Sequence, residues 1–179
     1  MTVLRWAPWS GQGLQHVVLT ERDGWLTAEA VVIGSDTADF AASFRLVADD
    51  GWRARRVEVA VSGGLSLRLE GDGAGNWTRE GLALPQLAGA VDPDISITPL
   101  TNTFPVRRLG LAKGESAEIR TAYIDVPSLD VFADPQRYTC LDVRRRYLYE
   151  SLDSDFRAEI EFDKDGFVTN YPGLFRRLA

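Results

Sequence analysis

The chain has 179 residues, 45% hydrophobic and 26% charged, with a formal net charge of −6. These are the proportions of one globular domain, residues 1–179, able to bury roughly 70% of the surface it exposes when unfolded. The acidity excludes a nucleic-acid coat or a basic membrane-surface protein, and the lack of any 18-residue apolar run excludes a spanning helix.

The N-terminal "MTVLRWAPWSGQG" has neither an apolar h-region nor a small-residue cleavage site, which points to a cytoplasmic setting. The single cysteine, Cys140, cannot form an internal disulfide and lies far from either end, where a lipid anchor would be attached. His16, the one nitrogen base, falls at a strand start near Trp6 and Trp9 and reads as a partly buried, hydrogen-bonded side chain. "DGW" at 23–25 and 50–52, "GNW" at 75–77 and "DGF" at 165–167 each set a turn before an aromatic residue, as in a meander of hairpins with aromatic anchors. All but two of the 20 cationic side chains are arginine. In "RARR" (53–56) and "RRR" (144–146) strand alternation sends neighbouring guanidiniums to opposite faces.

The clearest hairpin is "VEVAVSGGLSLRLE" at 57–70, in which Val57, Val59 and Val61 share a face, Ser62–Gly63–Gly64 turn, and Leu65, Leu67 and Leu69 return. "GDGAGN" at 71–76 reads as a loop, since no helix follows to present a phosphate site. In "AVDPDISI", Asp92 and Asp94 either share a side of an extended segment or form a turn before Pro93. "DISITPLTNTFPVRRL" at 94–109 starts with strand alternation and is then broken by Pro99 and Pro105. It reads as two short extended pieces joined by a polar Thr101–Asn102–Thr103 corner at a sheet rim, with Arg107 and Arg108 answering acidic residues or a ligand headgroup. "DPQRY" at 134–138 suggests one helical turn capped by Asp134. "FRAEIEFDKDGFVTNY" at 156–171 is a second hairpin; it shares Asp163, Asp165 and Gly166 with a calcium loop, but Pro172 stands where the closing glutamate is needed. The C-terminal "YPGLFRRLA" reads as a short helix or docked tail. Period two dominates throughout, which indicates a mostly antiparallel β domain of the barrel, roll or sandwich class.

No G-x-S-x-G elbow, H-E-x-x-H or P-loop occurs, and no His/Cys spacing suggests a metal. No catalytic residue, cofactor or metal is therefore assigned.

Several runs resemble one family, the bacterial putative glycolipid-binding proteins, first defined as a domain of unknown function. They are "WRARRVEV" (52–59), "DGAGNW" (72–77), "VDPDISITPLTNTFPVRRL" (91–109), "QRYTC" (136–140), "YLYES" (147–151) and "FRAEIEFDKDGFVTNYPGLFRR" (156–177). Ala90, Pro93 and Phe104 depart from the pattern, at positions where cysteine, an aliphatic residue and leucine are usual. The resemblance implies a strongly curved antiparallel β-roll or incomplete barrel with a few short helical turns. Such a fold encloses an apolar cavity and is similar to bacterial lipoprotein and lipid carriers.

On this reading the partner is an amphipathic small molecule, a glycolipid or acylated ligand, bound without catalysis. Trp52, Leu67 and Trp77 would line the cavity, while Asp94, Asn102, Arg107 and Arg108 would meet its polar head. Two alternatives stay open. One is an enzyme acting on a small hydrophobic or acylated substrate with Asp92, Asp94 or His16 as base; the other is an interaction domain whose core is filled.

Overall fold

A computed structural model describes residues 1–34 and 39–179. The period-two runs form strands, and the described residues make one sheet: β1 (Thr2–Pro8), β2 (Gly13–Arg22), β3 (Trp25–Gly34), β4 (Phe40–Asp49), β5 (Ala54–Val61), β6 (Ser66–Gly71), β7 (Trp77–Arg79), β8 (Leu82–Ala83), β9 (Ala90–Ile95), β10 (Ser116–Ile124), β11 (Val131–Asp142), β12 (Arg146–Ser151), β13 (Arg157–Phe162), β14 (Val168–Tyr171) and β15 (Phe175–Arg177). A single helix, α1 (Thr103–Leu109), and 3-10 turns at Pro85–Leu87 and Pro99–Asn102 are the helical elements among them.

The strand order runs β8 back to β1, then β15 back to β9, so nearly every strand pairs with its neighbour in sequence. Pairing is antiparallel except between β9 and β10, which run parallel. The expectation of a strongly curved roll or incomplete barrel does not hold. The fifteen strands form an open sheet whose ladder order ends at β8 and β9, and no backbone ladder joins those two edges. Alternation reports which residues a strand buries; it carries no information on whether the outermost strands meet.

Both expected hairpins are present. Val57, Val59, Leu67 and Leu69 are buried on the β5–β6 pair, while Leu65 is exposed in the turn. Ile160 and Phe162 are buried on β13, and Asp163 Oδ1 closes its turn by accepting from the amides of Asp165 (2.9 Å) and Phe167 (3.0 Å). Two helical expectations fail. Residues 134–138 lie inside β11, where Asp134, Gln136 and Tyr138 all point to the buried side. The C-terminal run forms the β14–β15 hairpin, whose last strand pairs with β1.

That β1–β15 ladder is short, three residue pairs from Trp6↔Arg177 to Pro8↔Phe175, and the N-terminal tryptophans reinforce it. Trp6 Nε1 donates to Val168 O (2.8 Å), Trp9 Nε1 donates to Tyr171 O (2.7 Å), and the Arg177 guanidinium lies over the Trp6 ring.

Residues 99–109 are not two extended pieces at a rim. Thr98 Oγ1 accepts from the Leu100 amide (3.2 Å), and Pro99 opens the 3-10 turn that runs into α1. Proline suits these positions because the first amides of a helical turn have no intrahelical acceptor, and Pro105 falls within the first turn of α1. Gly110, in the left-handed region at φ 59°, ends the helix. The segment is buried: Leu100 and Phe104 join the larger apolar core of β1–β7, β9 and β10, while Val106 joins a smaller core built from β11–β14. It therefore presents side chains to both halves of the sheet.

Candidate functional site

The parallel pairing of β9 with β10 and the antiparallel pairing of β10 with β11 set Thr121 opposite both Asp92 and Asp134, and Tyr123 opposite Asp94. One face of these three strands is consequently polar. Asp92 is fully buried and Arg108, from the last turn of α1, clamps it with Nε at 2.9 Å and Nη2 at 2.6 Å. Burial pushes the Asp92 carboxyl up and the guanidinium opposes it. The carboxylate–guanidinium pairing anticipated from the sequence is thus made by Arg108 and Asp92, in an extended strand and not in a turn.

Asp94 has no such cation. Its carboxylate accepts from the Thr101 hydroxyl (3.1 Å) and from Gln136 Nε2 (2.8 Å), and burial pushes it up to about 6, with the negative charges of Asp134 and Asp92 adding to the effect. Gln136 Nε2 also reaches Asp134 Oδ2 (2.6 Å) and Thr121 Oγ1 (3.1 Å). Asp134 is raised as well, again by burial first. Asn102 Nδ2 donates to the Tyr138 hydroxyl (2.9 Å), and Tyr138 stacks edge-on with Tyr149, which meets Tyr171. Asp94, Asn102 and Arg108 therefore belong to three neighbouring hydrogen-bonded groups, coupled through the charges of Asp92 and Asp94.

The other expected residues lie elsewhere. Trp52, Leu67 and Trp77 sit in the larger core at 6%, 3% and 2% exposure. Trp77 Nε1 donates to Ala90 O at 2.6 Å, tying β7 to β9. Trp52 holds a left-handed backbone (φ 60°), packs edge-on against Phe104 and Phe167, and carries the Arg107 guanidinium 4.8 Å from its ring centre. Arg107 Nη1 donates to Asp165 O at 2.6 Å. Trp52 and Arg107 meet at a cleft of about 340 Å3 edged by Trp25, Asp49 and Asp50, apart from the Asp94 network. His16 stands on the opposite, outer face of the sheet, where its Nδ1 accepts from Arg5 Nε (3.1 Å).

Sequence reasoning assigned none of Thr121, Tyr123, Gln136, Tyr138 and Tyr149 to a site, and named Asp134 only as a helix cap. The signal for three of them was the spacing of two in "DPQRY", hidden because Asp-Pro was read as a helix start. Among the described residues no group of His, Cys, Asp and Glu is placed to hold a metal ion.

A second concave feature lies beside the β1–β2 and β14–β15 connections, at the neighbouring ends of β3 and β4. It is a cleft of about 250 Å3 walled by Leu14, Ile33, Phe40, Ile97, Val126 and Leu174, with Gln15, Ser96 and Asp125 among its polar neighbours. Leu14, Ile33 and Leu174 are 43%, 57% and 39% exposed, unusually open for side chains of this size.

The family model described as "Putative glycolipid-binding" matches residues 3–177. The chain belongs to that family. Among solved structures, it is similar to a DUF1089 family protein from Pseudomonas aeruginosa, determined by crystallography at 1.80 Å resolution. The two share 39% identity, with 93% of this chain and 92% of that chain covered at a TM-score of 0.80. No curated protein matches. Membership in the glycolipid-binding family supports a general lipid-related binding role. No described helix is long and apolar enough to cross a membrane.

Proposed function

We propose that the protein binds an amphipathic, glycolipid-like molecule without breaking a bond in it, and that the apolar part occupies the cleft between Leu14, Ile33, Phe40 and Leu174. Family membership supports the ligand class. The observation that carries the location is the concave group of solvent-open aliphatic side chains, next to the polar groups of Gln15, Ser96 and Asp125. The apolar part is placed there and not at Trp52, Leu67 and Trp77 because those three side chains are buried in the larger core, whereas Leu14, Ile33 and Leu174 are open to solvent. At about 0.8 kcal/mol per buried methylene, six methylenes in the cleft supply roughly 5 kcal/mol before ordering costs.

Alkyl glucosides of increasing chain length, titrated by native mass spectrometry and tryptophan fluorescence, test the reading. Affinity should rise roughly tenfold with each pair of methylenes until the cleft is full, and Ile33→Glu with Leu174→Glu should abolish the rise. Affinity independent of chain length in the wild-type protein would rule the cleft out.

A further inference from the structure

The network around Asp94 is short of hydrogen-bond donors. Gln136 Nε2 has two protons and three acceptors within reach, Asp94 Oδ2, Asp134 Oδ2 and Thr121 Oγ1. Gln136 is fully buried, yet its Oε1 has no partner. The Thr121 hydroxyl lies 3.5 Å from Asp134 O, at the outer limit of a hydrogen bond. A buried acceptor left unmatched is costly, so such a site favours whatever brings donors to it.

Charge points the same way. The carboxylates acting on Asp94 are Asp134 and Asp92, and Asp92 alone is matched by a cation, Arg108. Aromatic rings surround the acids: Tyr123 opposite Asp94, Tyr138 beside Asn102, and Tyr149 stacked on Tyr138. Asp94 and Tyr123 are part-buried whereas Asp134 and Gln136 are buried, so Asp94 is the least enclosed acid of the cluster. A neutral sugar hydroxyl offers one donor and asks for a donor in return. An ammonium offers three N–H donors, asks for none, carries the missing charge and favours ring faces.

We propose that Asp94, Asp134 and Gln136 form a binding site for a primary ammonium group, borne by a free amine such as an amino sugar or by an amine-headed lipid. The site stands independently of the apolar cleft. Protonation competes with the ligand. The groups facing Asp94 are Asp92, Thr101, Tyr123, Asp134, Gln136, Tyr138, Tyr149 and Tyr171, and burial among them brings its titration to about 6. Once protonated, Asp94 supplies its own donor and loses its charge, so amine binding should strengthen as pH rises through that value.

Calorimetric titration of the full chain with glucosamine, glucose, ethanolamine and choline decides the matter. Glucosamine and ethanolamine should bind roughly tenfold or more tightly than glucose and choline, the discrimination expected of charge-assisted hydrogen bonds. Asp134→Asn, which keeps an oxygen for Gln136, should weaken both amines by about the same factor. Equal affinity for glucosamine and glucose, tight binding of choline, or no binding of either amine would each overturn the proposal on the wild-type protein alone. Micelles of a short-chain ethanolamine phospholipid separate the sources. Binding tighter than free ethanolamine and weakened by Asp134→Asn assigns a lipid head, whereas equal affinity assigns a free amine.

Discussion

Arg108→Met isolates the buried ion pair. The substituted side chain retains an unbranched apolar stem but removes both hydrogen bonds, at 2.9 and 2.6 Å, from a carboxylate with 0% exposure. Breaking one side of such a pair leaves a buried charge without compensation, which costs about 3–5 kcal/mol. Arg108 itself is 18% exposed, so some water can reach the vacated space, and we expect about 3 kcal/mol near neutral pH. Equilibrium urea unfolding measures it through the midpoint at constant slope. The pH dependence has a definite sign. Burial already holds Asp92 above its ordinary 3.8, and without the guanidinium that effect is unopposed. The folded variant then binds a proton more tightly than the unfolded chain, so lowering the pH towards 4 should recover most of the loss. Adding Asp92→Asn to Arg108→Met should recover it at neutral pH too. A loss below about 1 kcal/mol near pH 7, or one equal at pH 4 and 7, would refute the reasoning, because an exposed pair has that signature.

Two further perturbations test other parts of the argument. Asp94, held up at about 6 against an ordinary 3.8, makes the wild-type protein lose stability as pH rises between those values, by up to roughly 3 kcal/mol. Asp94→Asn should flatten that slope in urea titrations, and identical slopes would show that the carboxyl is not its source. Gly75 has φ +93°, and an added Cβ would lie 2.8 Å from Gly89 Cα, a backbone atom that cannot swing aside. Gly75→Ala should therefore cost about 2 kcal/mol or more by thermal unfolding, whereas Gly24→Ala, where nothing lies within 4 Å, should cost about 1 kcal/mol or less. Equal losses would remove the close approach as the cause.

Strands and their buried faces were legible because alternation is local: Val57, Val59, Leu67 and Leu69 are buried as their spacing required. The openness of the sheet was not, because the edges β8 and β9 are set by pairing partners far away in the chain. Proline misled twice through its ambiguity. Pro99 and Pro105 read as strand breakers but occupy helical first turns, and Pro135 read as a helix start but lies in β11, paired with Arg120. The "DGW" echo held only in part. Trp25 and Trp77 open strands, whereas Trp52 occupies a strained loop and fills the core. Of the candidate site, the Asp92–Arg108 match was visible as opposite charges bracketing one segment. The link from Asp94 to Gln136 spans 42 residues and depends on three strands coming into register, which no local pattern encodes.

The pairing of β1 with β15 also bears on how the chain assembles. Strands β1 to β8 form one run of adjacent antiparallel pairs and β10 to β15 another, with β9 joined to β10 in parallel. Each run can zip up by closing short loops, whose entropy cost is small. The seam between them joins residues such as Trp6 and Arg177, so it waits for an encounter between segments far apart in the sequence. During synthesis the first run would spend its time with the edge of β1 uncovered, a template open to other strands until the last hairpin arrives. A three-pair ladder is a weak closure for that edge by itself. Trp6 and Trp9, reaching across to the carbonyls of Val168 and Tyr171, make it a latch that engages only once β14 and β15 have been made.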